Sequence, residues 1–411
     1  MKTIDNISFK NEKALIRVDF NVPLDKTTLK VTDDTRIKAA IPTIRKVLND
    51  GGAVVLMSHL GRPKGTRENK YSLSHTISVI EQLLGQKIKF ADDCISPQAF
   101  ELSSLLQPGE VLLLENLRFY PEEEKGDIEF AKKLAQHGTI YINDAFGTAH
   151  RAHASTTIVA NFFPNNKKYF GYLMAKEVEN LRKILQSPEK PFTAIVGGAK
   201  VSDKIKVLEA LTKVADNIII GGAMAFTFIK AKGGNIGKSL CENDHIETAL
   251  HFLNQIEIKN AQSIKNIRVI LPVDAVCASE FMDSPNNSVH DITDIPTDLM
   301  GLDIGPKSIQ LFKDILASSK SILWNGPMGV FEFSNFETGT KEIAFTVAEI
   351  THKNNAFSVV GGGDSVAAIN KYNLENQISF ISTGGGAMLE FIENGTLPGI
   401  EAIESNTYQP V

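Results

Sequence analysis

The chain has 411 residues, more than one ordinary hydrophobic core holds, so two domains are expected. With 43% hydrophobic and 22% charged residues the composition is typical of a soluble globular protein, and the net charge of -5 excludes nucleic-acid binding by overall electrostatics alone. Three scattered cysteines without metal-ligand spacing indicate a reducing compartment. Residues 1–20 carry no apolar signal core or membrane-spanning run, so we expect a cytoplasmic protein without nucleic-acid or membrane partners.

Short β-rich segments alternate with helical patterns along the whole chain. The strands predicted in the first half are 14–20, 53–58, 88–90, 111–115 and 139–143, with helices such as 34–49 and 74–84 between them. Those predicted in the second half are 193–196, 217–220, 267–271, 321–324, 358–360 and 379–382. Because strand–helix alternation with continuous apolar strands is typical of parallel sheets, we predict two doubly wound (Rossmann-like) α/β domains.

The domain boundary is predicted within residues 171–191. The segment YLMAKEVENLRKIL has helical spacing, and QSPEKPF then ends it with two prolines, so this region is expected to be a linker helix and hinge. The first domain would span residues 1–170 and the second 192–394. The tail, 395–411, has little periodicity and is expected to pack back on the first domain.

Arginine is concentrated before residue 152, and several arginines follow predicted strands in RVDFNVP, MSHLGRP, LLLENLRF and NDAFGTAHRAHAS. Ligands of open α/β sheets bind outside the carboxyl ends of strands. We therefore expect one crevice for a small polyanion, formed by His59, Arg62, Arg118 and Arg151 with Asp19 and Asn21 beside them. Surface salt bridges are the alternative for any single arginine, and His150 and His153 are as compatible with structural roles as with ligand binding.

Three glycine-rich turns lead from a strand into a helix in the second half: IVGGAKVSDKIKVLEAL, SVVGGGDSVAAI and SFISTGGGAMLEFI. Main-chain N–H groups at such helix starts bind phosphate. Lys200 and Lys204, four residues apart, are predicted to share a helical face, with solvated lysines as the alternative. Asp364 is interpreted either as a magnesium ligand or as a helix cap.

Two further segments need an interpretation. GGNIGKSL ends like a phosphate-binding loop, but Lys232 replaces the required first glycine and a helical pattern precedes it, so we reject that motif. ILWNGPMGVFE, residues 322–332, runs from an apolar strand into glycine-rich backbone and ends on Glu332. Because glycine has no Cβ atom, so many glycines predict that another group lies close to the main chain here.

Ten motifs in order over nearly the whole chain, among them RVDFNVP, TRIKAA, MSHLGRPKG, DAFGTAHRAHAS, GGAKVSDKI, WNGPMGVFE and GGGDS, resemble those of the phosphoglycerate kinase family. The resemblance implies a monomer with a glycerate-binding first domain and a nucleotide-binding second domain. It implies reversible phosphoryl transfer between 1,3-bisphosphoglycerate and ADP, giving 3-phosphoglycerate and ATP with Mg²⁺.

By motif, the resemblance implies substrate-binding positions at Asp19, Asn21, Arg36, His59, Arg62, Arg118 and Arg151. It implies nucleotide-binding positions at Lys200, Lys204, Asn325, Pro327, Glu332, Gly362, Gly363, Asp364 and Ser365, with Asp364 as the magnesium ligand. Gly326 and Gly329 would leave room for the nucleoside, and Glu332 would accept the ribose hydroxyls. Ser365 stands where many members have threonine, and Ala223 where some have glycine.

The expected chemistry needs no general base, because the nucleophile in the ATP-consuming direction is a carboxylate that is already ionised at pH 7. The catalytic positions are then Arg36 and Lys200 on the transferring phosphoryl group, assisted by main-chain N–H groups near Gly363 and Gly386. Closure about the hinge would bring the two domains' ligands together. The alternatives are a non-catalytic nucleotide-binding paralogue and a kinase of another family.

Overall fold

The computed structural model describes residues 1–262 and 266–410. The chain forms two compact units. The first contains Met1–Glu179 and the chain from Thr396 onward, and the second contains Asn180–Gly395. Within the described residues, no helix has the length and apolar character needed to cross a bilayer.

A six-stranded parallel sheet forms the centre of the first unit, with strand order β3-β4-β2-β1-β5-β6. Its strands are β1 (Lys13–Val18), β2 (Ala53–Met57), β3 (Lys89–Ala91), β4 (Val111–Leu114), β5 (Ile140–Asp144) and β6 (Lys168–Phe170). The connecting helices are α1 (Thr35–Asn49), α2 (Ile77–Leu84), α3 (Pro97–Ser104), α4 (Pro121–Lys125) and α5 (Ile128–Ala135). Helix α6 (Tyr172–Gln186) then leads into the second unit.

The first unit's core follows from its sequence periodicity. Strands β2 and β4 are continuous apolar runs with every residue buried, as expected for central parallel strands. Helix α1 is amphipathic and buries Ile37, Ala40 and Ile44, which join the core beside the sheet.

The second unit is built around another six-stranded parallel sheet, in the order β10-β8-β7-β15-β16-β17. Its strands are β7 (Phe192–Val196), β8 (Asn217–Ile220), β10 (Arg268–Ile270), β15 (Ser321–Asn325), β16 (Phe357–Val360) and β17 (Phe380–Ile381). A smaller antiparallel sheet joins β11 (Asp274–Ala278), β12 (Ser288–Asp291) and β14 (Met300–Ile304), and β9 (Asn235–Ile236) pairs with β13 (Asp294–Ile295). The helices are α7 (Ile205–Leu211), α8 (Met224–Ala231), α9 (Ile246–Ala261), α10 (Pro306–Leu316), α11 (Thr338–Lys353), α12 (Gly363–Lys371) and α13 (Gly386–Asn394).

The C-terminal tail packs on the first unit, as predicted, but it also contains a helix, α14 (Pro398–Glu404), that its weak periodicity did not predict. Lysine side chains fix the tail: Lys2 Nζ donates to the carbonyl of Ile403 at 2.8 Å, and Lys168 Nζ donates to that of Thr407 at 3.0 Å. Burial lowers the pKa of Lys168 to about 8, and the charge of Lys2 adds to this effect.

The predicted fold class is confirmed by the two parallel sheets. The predictions missed β6, the antiparallel sheet β12-β11-β14 and the paired strands β9 and β13. Strand β6 begins at Lys168, whose side chain is fully buried, so a charged residue interrupts the apolar pattern that identifies strands.

Candidate active site

The polar residues of the first unit follow the carboxyl ends of adjacent parallel strands. Strand β1 lies between β2 and β5, where the strand order changes direction, and a ligand crevice is expected at such a point. Asp19 follows β1 directly, His59 lies two residues after β2, and Arg118 lies in a short 3₁₀ turn after β4. The topology therefore brings together residues that are far apart in the chain.

Arg36 is held in this crevice by two acceptors. It lies in the first turn of α1, and its guanidinium donates to Asp19 Oδ2 at 3.1 Å and to the carbonyl of Asn21 at 3.0 Å. The Arg36 side chain remains 42% exposed, whereas that of Asp19 is 11% exposed. Asp19 thus orients a guanidinium that is still accessible to a ligand.

Gly61 links two further residues of the predicted set. Its N–H donates to Asn21 Oδ1 at 2.8 Å, and its carbonyl accepts from Arg118 Nη1 at 3.0 Å. Burial lowers the pKa of the Arg118 guanidinium, Glu124 opposes that change, and Arg17 and Arg62 lower it further. Asn21 and Arg118 are therefore linked through the main chain of Gly61.

Arg62 and Arg151 are both exposed, and their charges reach buried members of the crevice. Arg62 acts on Arg118, and Arg151 acts on His153. The pKa of His153 falls to about 3, first because of burial and then because of the charges of Arg118, Arg17 and Arg151. The crevice is thus a region of concentrated positive charge, suited to an anion.

His59 is 3% exposed and contacts Arg17, a residue that the sequence interpretation did not assign to the site. Arg17 is fully buried within β1, and its Nη2 lies 3.2 Å from His59 Nδ1. Burial lowers the pKa of His59 well below its usual value, and the charges of Arg17, Arg118 and Arg36 lower it further. The available signal was an arginine inside the apolar strand segment ALIRV.

In the second unit, residues of all three glycine-rich turns line a groove of about 340 Å³. Lys200 and Lys204 both line it. The prediction that they share a helical face is wrong: α7 begins only at Ile205, so both lysines lie in the loop after β7. The loop, and not helical periodicity, turns both residues toward the groove.

Glycines at two helix starts border this groove. Gly363 is the first residue of α12, and Gly386 is the first residue of α13. Both residues are exposed, and a Cβ atom at either position would meet no heavy atom within 4 Å, so open space borders the main chain there. Gly362 precedes α12 with a φ of +95°, which favours glycine. Two helix N-termini thus offer positive partial charge to an anion.

Asn325 and Ser365 form the framework of the groove. Asn325 Nδ2 donates to the carbonyl of Gly361 at 2.8 Å, and its Oδ1 accepts from Lys204 Nζ. Ser365 is fully buried, and its Oγ accepts from the N–H of Gly326 at 2.6 Å. Burial lowers the pKa of Lys204, while nearby carboxylates, including Asp364, oppose that change. These contacts fix Lys204 at the groove.

The glycine-rich backbone after β15 is explained by protein packing. A Cβ at Gly326 would lie 2.2 Å from the carbonyl oxygen of Gly197, and one at Gly329 would lie 2.2 Å from Asp303 Oδ1. Protein packing therefore already accounts for these two glycines. The expectation that they leave room for a nucleoside stays a prediction. The carbonyl of Pro327 also accepts from the N–H of Gly198 at 3.2 Å.

A cavity of about 460 Å³ adjoins the groove. Pro327 and Glu332 line it, as do Leu240 and Phe281, which the sequence interpretation did not assign to the site. Lys238, from the rejected phosphate-loop motif, also lines this cavity. The cavity is mainly apolar, and Glu332 adds an exposed carboxylate to it. Such a lining suits a heterocyclic base and a polyol.

Asp364 lines both the cavity and the groove. It lies in the first turn of α12 and is exposed. Mg²⁺ in kinase sites is held by one or two carboxylates together with substrate phosphates and water, so the accessible carboxylate of Asp364 beside an anion groove fits this ion.

A sequence model of the family described as phosphoglycerate kinase matches residues 4–395. The chain belongs to the phosphoglycerate kinase family. It is 48% identical to the phosphoglycerate kinase of Porphyromonas gingivalis over 425 residues, which cover 98% of this chain and 100% of that protein. It is 49% identical to that of Borrelia turicatae over 404 residues, covering 98% and 99%. The structure of phosphoglycerate kinase from Coxiella burnetii matches with a TM-score of 0.88 and 39% identity, covering 98% of each chain.

Membership of the phosphoglycerate kinase family confirms the resemblance drawn from the motifs. The two departures noted in the sequence lie beside the second unit's site. Ala223 lines the cavity, and Ser365 lines the groove while its hydroxyl accepts from Gly326. Both positions therefore belong to the framework of the site.

Proposed function

We propose that the protein catalyses the reversible transfer of a phosphoryl group between 1,3-bisphosphoglycerate and ADP, giving 3-phosphoglycerate and ATP, as a glycolytic enzyme. The observation that supports this most strongly is the match to the phosphoglycerate kinase family over residues 4–395. The cationic crevice of the first unit and the paired groove and cavity of the second provide the two kinds of binding surface that this reaction needs. We further propose a cytoplasmic monomer, by analogy with the family.

The crevice of the first unit is proposed to bind the phosphoglycerate. Its carboxylate and phosphate require several cationic donors, and guanidinium groups bind such oxyanions through two parallel hydrogen bonds. Arg36, already oriented by Asp19, is exposed and can also contact the transferring phosphoryl group. The proposed set is Asp19, Asn21, Arg36, His59, Arg62, Arg118 and Arg151.

The second unit is proposed to bind ATP or ADP. The nucleoside would occupy the cavity, with Pro327 against the base and Glu332 accepting from the ribose hydroxyls. The phosphates would lie along the groove, where the contacting residues are Lys200, Lys204, Asn325, Gly362, Gly363, Asp364 and Ser365. Asp364 would hold Mg²⁺, which supplies charge neutralisation at the phosphates when bound.

The proposed chemistry is positioning and charge neutralisation. The acceptor carboxylate of 3-phosphoglycerate is ionised at neutral pH and needs no base. Arg36 and Lys200 would stabilise the negative charge on the transferring group, with main-chain N–H groups at Gly363 and Gly386 assisting. Lys200 is exposed at the edge of the groove, so its ammonium is free to reach a terminal phosphate.

Direct transfer requires the two ligands to meet, so we propose closure about a hinge within residues 171–191 and a second near Thr383. Small-angle X-ray scattering tests this proposal. Adding both 3-phosphoglycerate and a nonhydrolysable ATP analogue should reduce the radius of gyration more than either ligand alone. An unchanged radius with both ligands bound would contradict closure.

The activity is tested by a coupled assay with 3-phosphoglycerate, ATP and Mg²⁺ on the wild type and on Arg36→Ala. We expect turnover in the wild type and a loss of about 3–4 kcal/mol of transition-state stabilisation in the variant, comparable with losing one oxyanion-hole donor. Arg45→Ala is the matched control, since Arg45 lies in the same helix but donates to the carbonyl of Leu83. Wild-type protein that binds ATP without turnover would favour a non-catalytic nucleotide-binding role.

A further inference from the structure

Arg17 is a fully buried cation in the first unit, and the charge of such a group needs specific partners. Its Nε donates to Ser155 Oγ at 2.8 Å, and its Nη1 donates to the carbonyl of Val18. Its Nη2 lies 3.2 Å from His59 Nδ1. Every part of the guanidinium therefore has a defined acceptor, which fixes its orientation.

The negative end of this arrangement is Glu123, a fully buried residue of α4. Ser155 binds it twice: its Oγ donates to Glu123 Oε1 at 2.5 Å, and its N–H donates to Glu123 Oε2 at 3.0 Å. The same Oγ accepts from Arg17, so the hydroxyl proton must point to Glu123. Burial raises the pKa of Glu123, and the charge of Arg17 and the bonds from Ser155 oppose this change.

The contact between Arg17 and His59 determines which ring nitrogen of His59 carries hydrogen. A guanidinium can only donate hydrogen bonds, so His59 Nδ1 must accept and is unprotonated. The hydrogen of a neutral imidazole then lies on Nε2. An imidazolium is disfavoured because the ring is buried near three guanidinium groups, those of Arg17, Arg118 and Arg36, and near His153.

We propose that Glu123, Ser155 and Arg17 form a positioning chain that holds His59 as a neutral imidazole with hydrogen on Nε2, which donates to the bound phosphoglycerate. None of the hydrogen bonds among the described residues uses His59 Nε2, so this donor is available to a ligand. This inference rests on the proposed function for the substrate's identity. It adds that His59 acts as an oriented hydrogen-bond donor in a crevice where arginines supply the charge.

The tautomer is tested first on the wild-type protein by nitrogen-15 NMR of labelled histidine, with His59 assigned through the spectrum of His59→Gln. We expect His59 Nδ1 to resonate as an unprotonated nitrogen and Nε2 as a protonated one, without titration between about pH 8 and pH 5. His137 is an internal reference, because its Nε2 lies 2.9 Å from the carbonyl of Cys94, which can only accept. Hydrogen on His59 Nδ1, or an imidazolium at pH 7, would overturn the proposal whatever the turnover.

Ser155→Ala then tests the chain, with Ser103→Ala as its matched control. Ser155→Ala removes the bridge between Glu123 and Arg17, so the His59 nitrogen signals should shift and the KM for 3-phosphoglycerate should rise about tenfold, with the KM for ATP unchanged. Ser103 Oγ lies 2.9 Å from His137 Nδ1, so its removal should change the signals of His137 only.

If Ser155→Ala does not fold, Glu123→Gln keeps the side-chain shape and weakens the same link. We expect it to give the same signature, namely shifted His59 signals and a raised KM for 3-phosphoglycerate alone. A folded variant of either kind with His59 signals and both KM values like those of the wild type would refute the chain. Absence of turnover in the wild type, with His59 in the expected tautomer, would instead count against the proposed function and not against the chain.

Discussion

Gly326→Ala and Gly363→Ala separate a glycine required by protein packing from one proposed to contact a ligand. At Gly326, a Cβ would lie 2.2 Å from the carbonyl oxygen of Gly197, and the residue has a φ of +96°. At Gly363, a Cβ would meet no heavy atom within 4 Å, and φ lies outside the left-handed region. The same methyl group should therefore reduce stability at Gly326 and ATP affinity at Gly363.

The expected magnitudes follow from these contacts. Alanine in a left-handed conformation costs about 1–2 kcal/mol, and an extra carbon in a packed region costs about 1–3 kcal/mol. Gly326→Ala should thus lose about 2–5 kcal/mol from a free energy of unfolding that is typically about 5–15 kcal/mol. Gly363→Ala should stay within about 1 kcal/mol of the wild type, because alanine also restricts the unfolded chain. Its affinity for ATP should fall about tenfold, since the methyl group would hinder phosphate approach to the main chain.

The single tryptophan of the chain reports directly on this region. Trp324 is fully buried, and its Nε1 donates to the carbonyl of Gly326 at 2.8 Å. Urea unfolding followed by tryptophan fluorescence gives the stability of each variant, and calorimetric titration gives its ATP affinity. A Gly326→Ala midpoint equal to that of the wild type would refute the packing argument, and unchanged ATP affinity in Gly363→Ala would exclude that residue from the phosphate site.

Two further predictions concern carboxylates. Asp364→Ala should raise the Mg²⁺ concentration for half-maximal turnover about tenfold or more with the KM for 3-phosphoglycerate unchanged; equal Mg²⁺ dependence would remove Asp364 as the ligand. Burial raises the pKa of Asp144 to about 7, although hydrogen bonds from Thr43, Met174 and Leu173 oppose this change. The folded state therefore keeps a proton that the unfolded state, in which the carboxyl has its ordinary pKa of 3.8, loses at lower pH. The resulting stabilisation is complete below about pH 4 and is lost as pH rises through about 7, by up to about 4 kcal/mol. In urea unfolding, stability should fall more steeply with rising pH in the wild type than in Asp144→Asn, which keeps the buried Asp303; parallel pH profiles would contradict this prediction.

The sequence predicted the parts of the fold that depend on continuous burial. Strands such as β2 and β4 are short runs of apolar residues, and burial on both faces is what makes such runs recognisable. Strand β12 has the sequence SVHD and is mostly exposed, so no apolar pattern identifies it. Its place in a sheet comes from antiparallel pairing with β11, a tertiary contact that local sequence does not encode.

Site residues were recognisable where their side chains follow predicted strands, because all parallel strands of a sheet end at one edge. Arg17 was missed for the complementary reason. It lies inside β1, where a side chain is expected to serve the core, and its role depends on Ser155 and Glu123, which are distant in the chain. Only the folded structure places a serine and a carboxylate within reach of that arginine.

The glycines after β15 show why a sequence motif can identify a position and still leave its physical cause undetermined. A ligand and a neighbouring main chain exclude a Cβ equally well, so the sequence alone does not distinguish them. The topology does. Strands β7 and β15 are adjacent, and each ends in a glycine turn, Gly197 after β7 and Gly326 after β15. The change of strand order that opens a ligand crevice thus also brings two turns into contact, and Gly326 is required first by that contact.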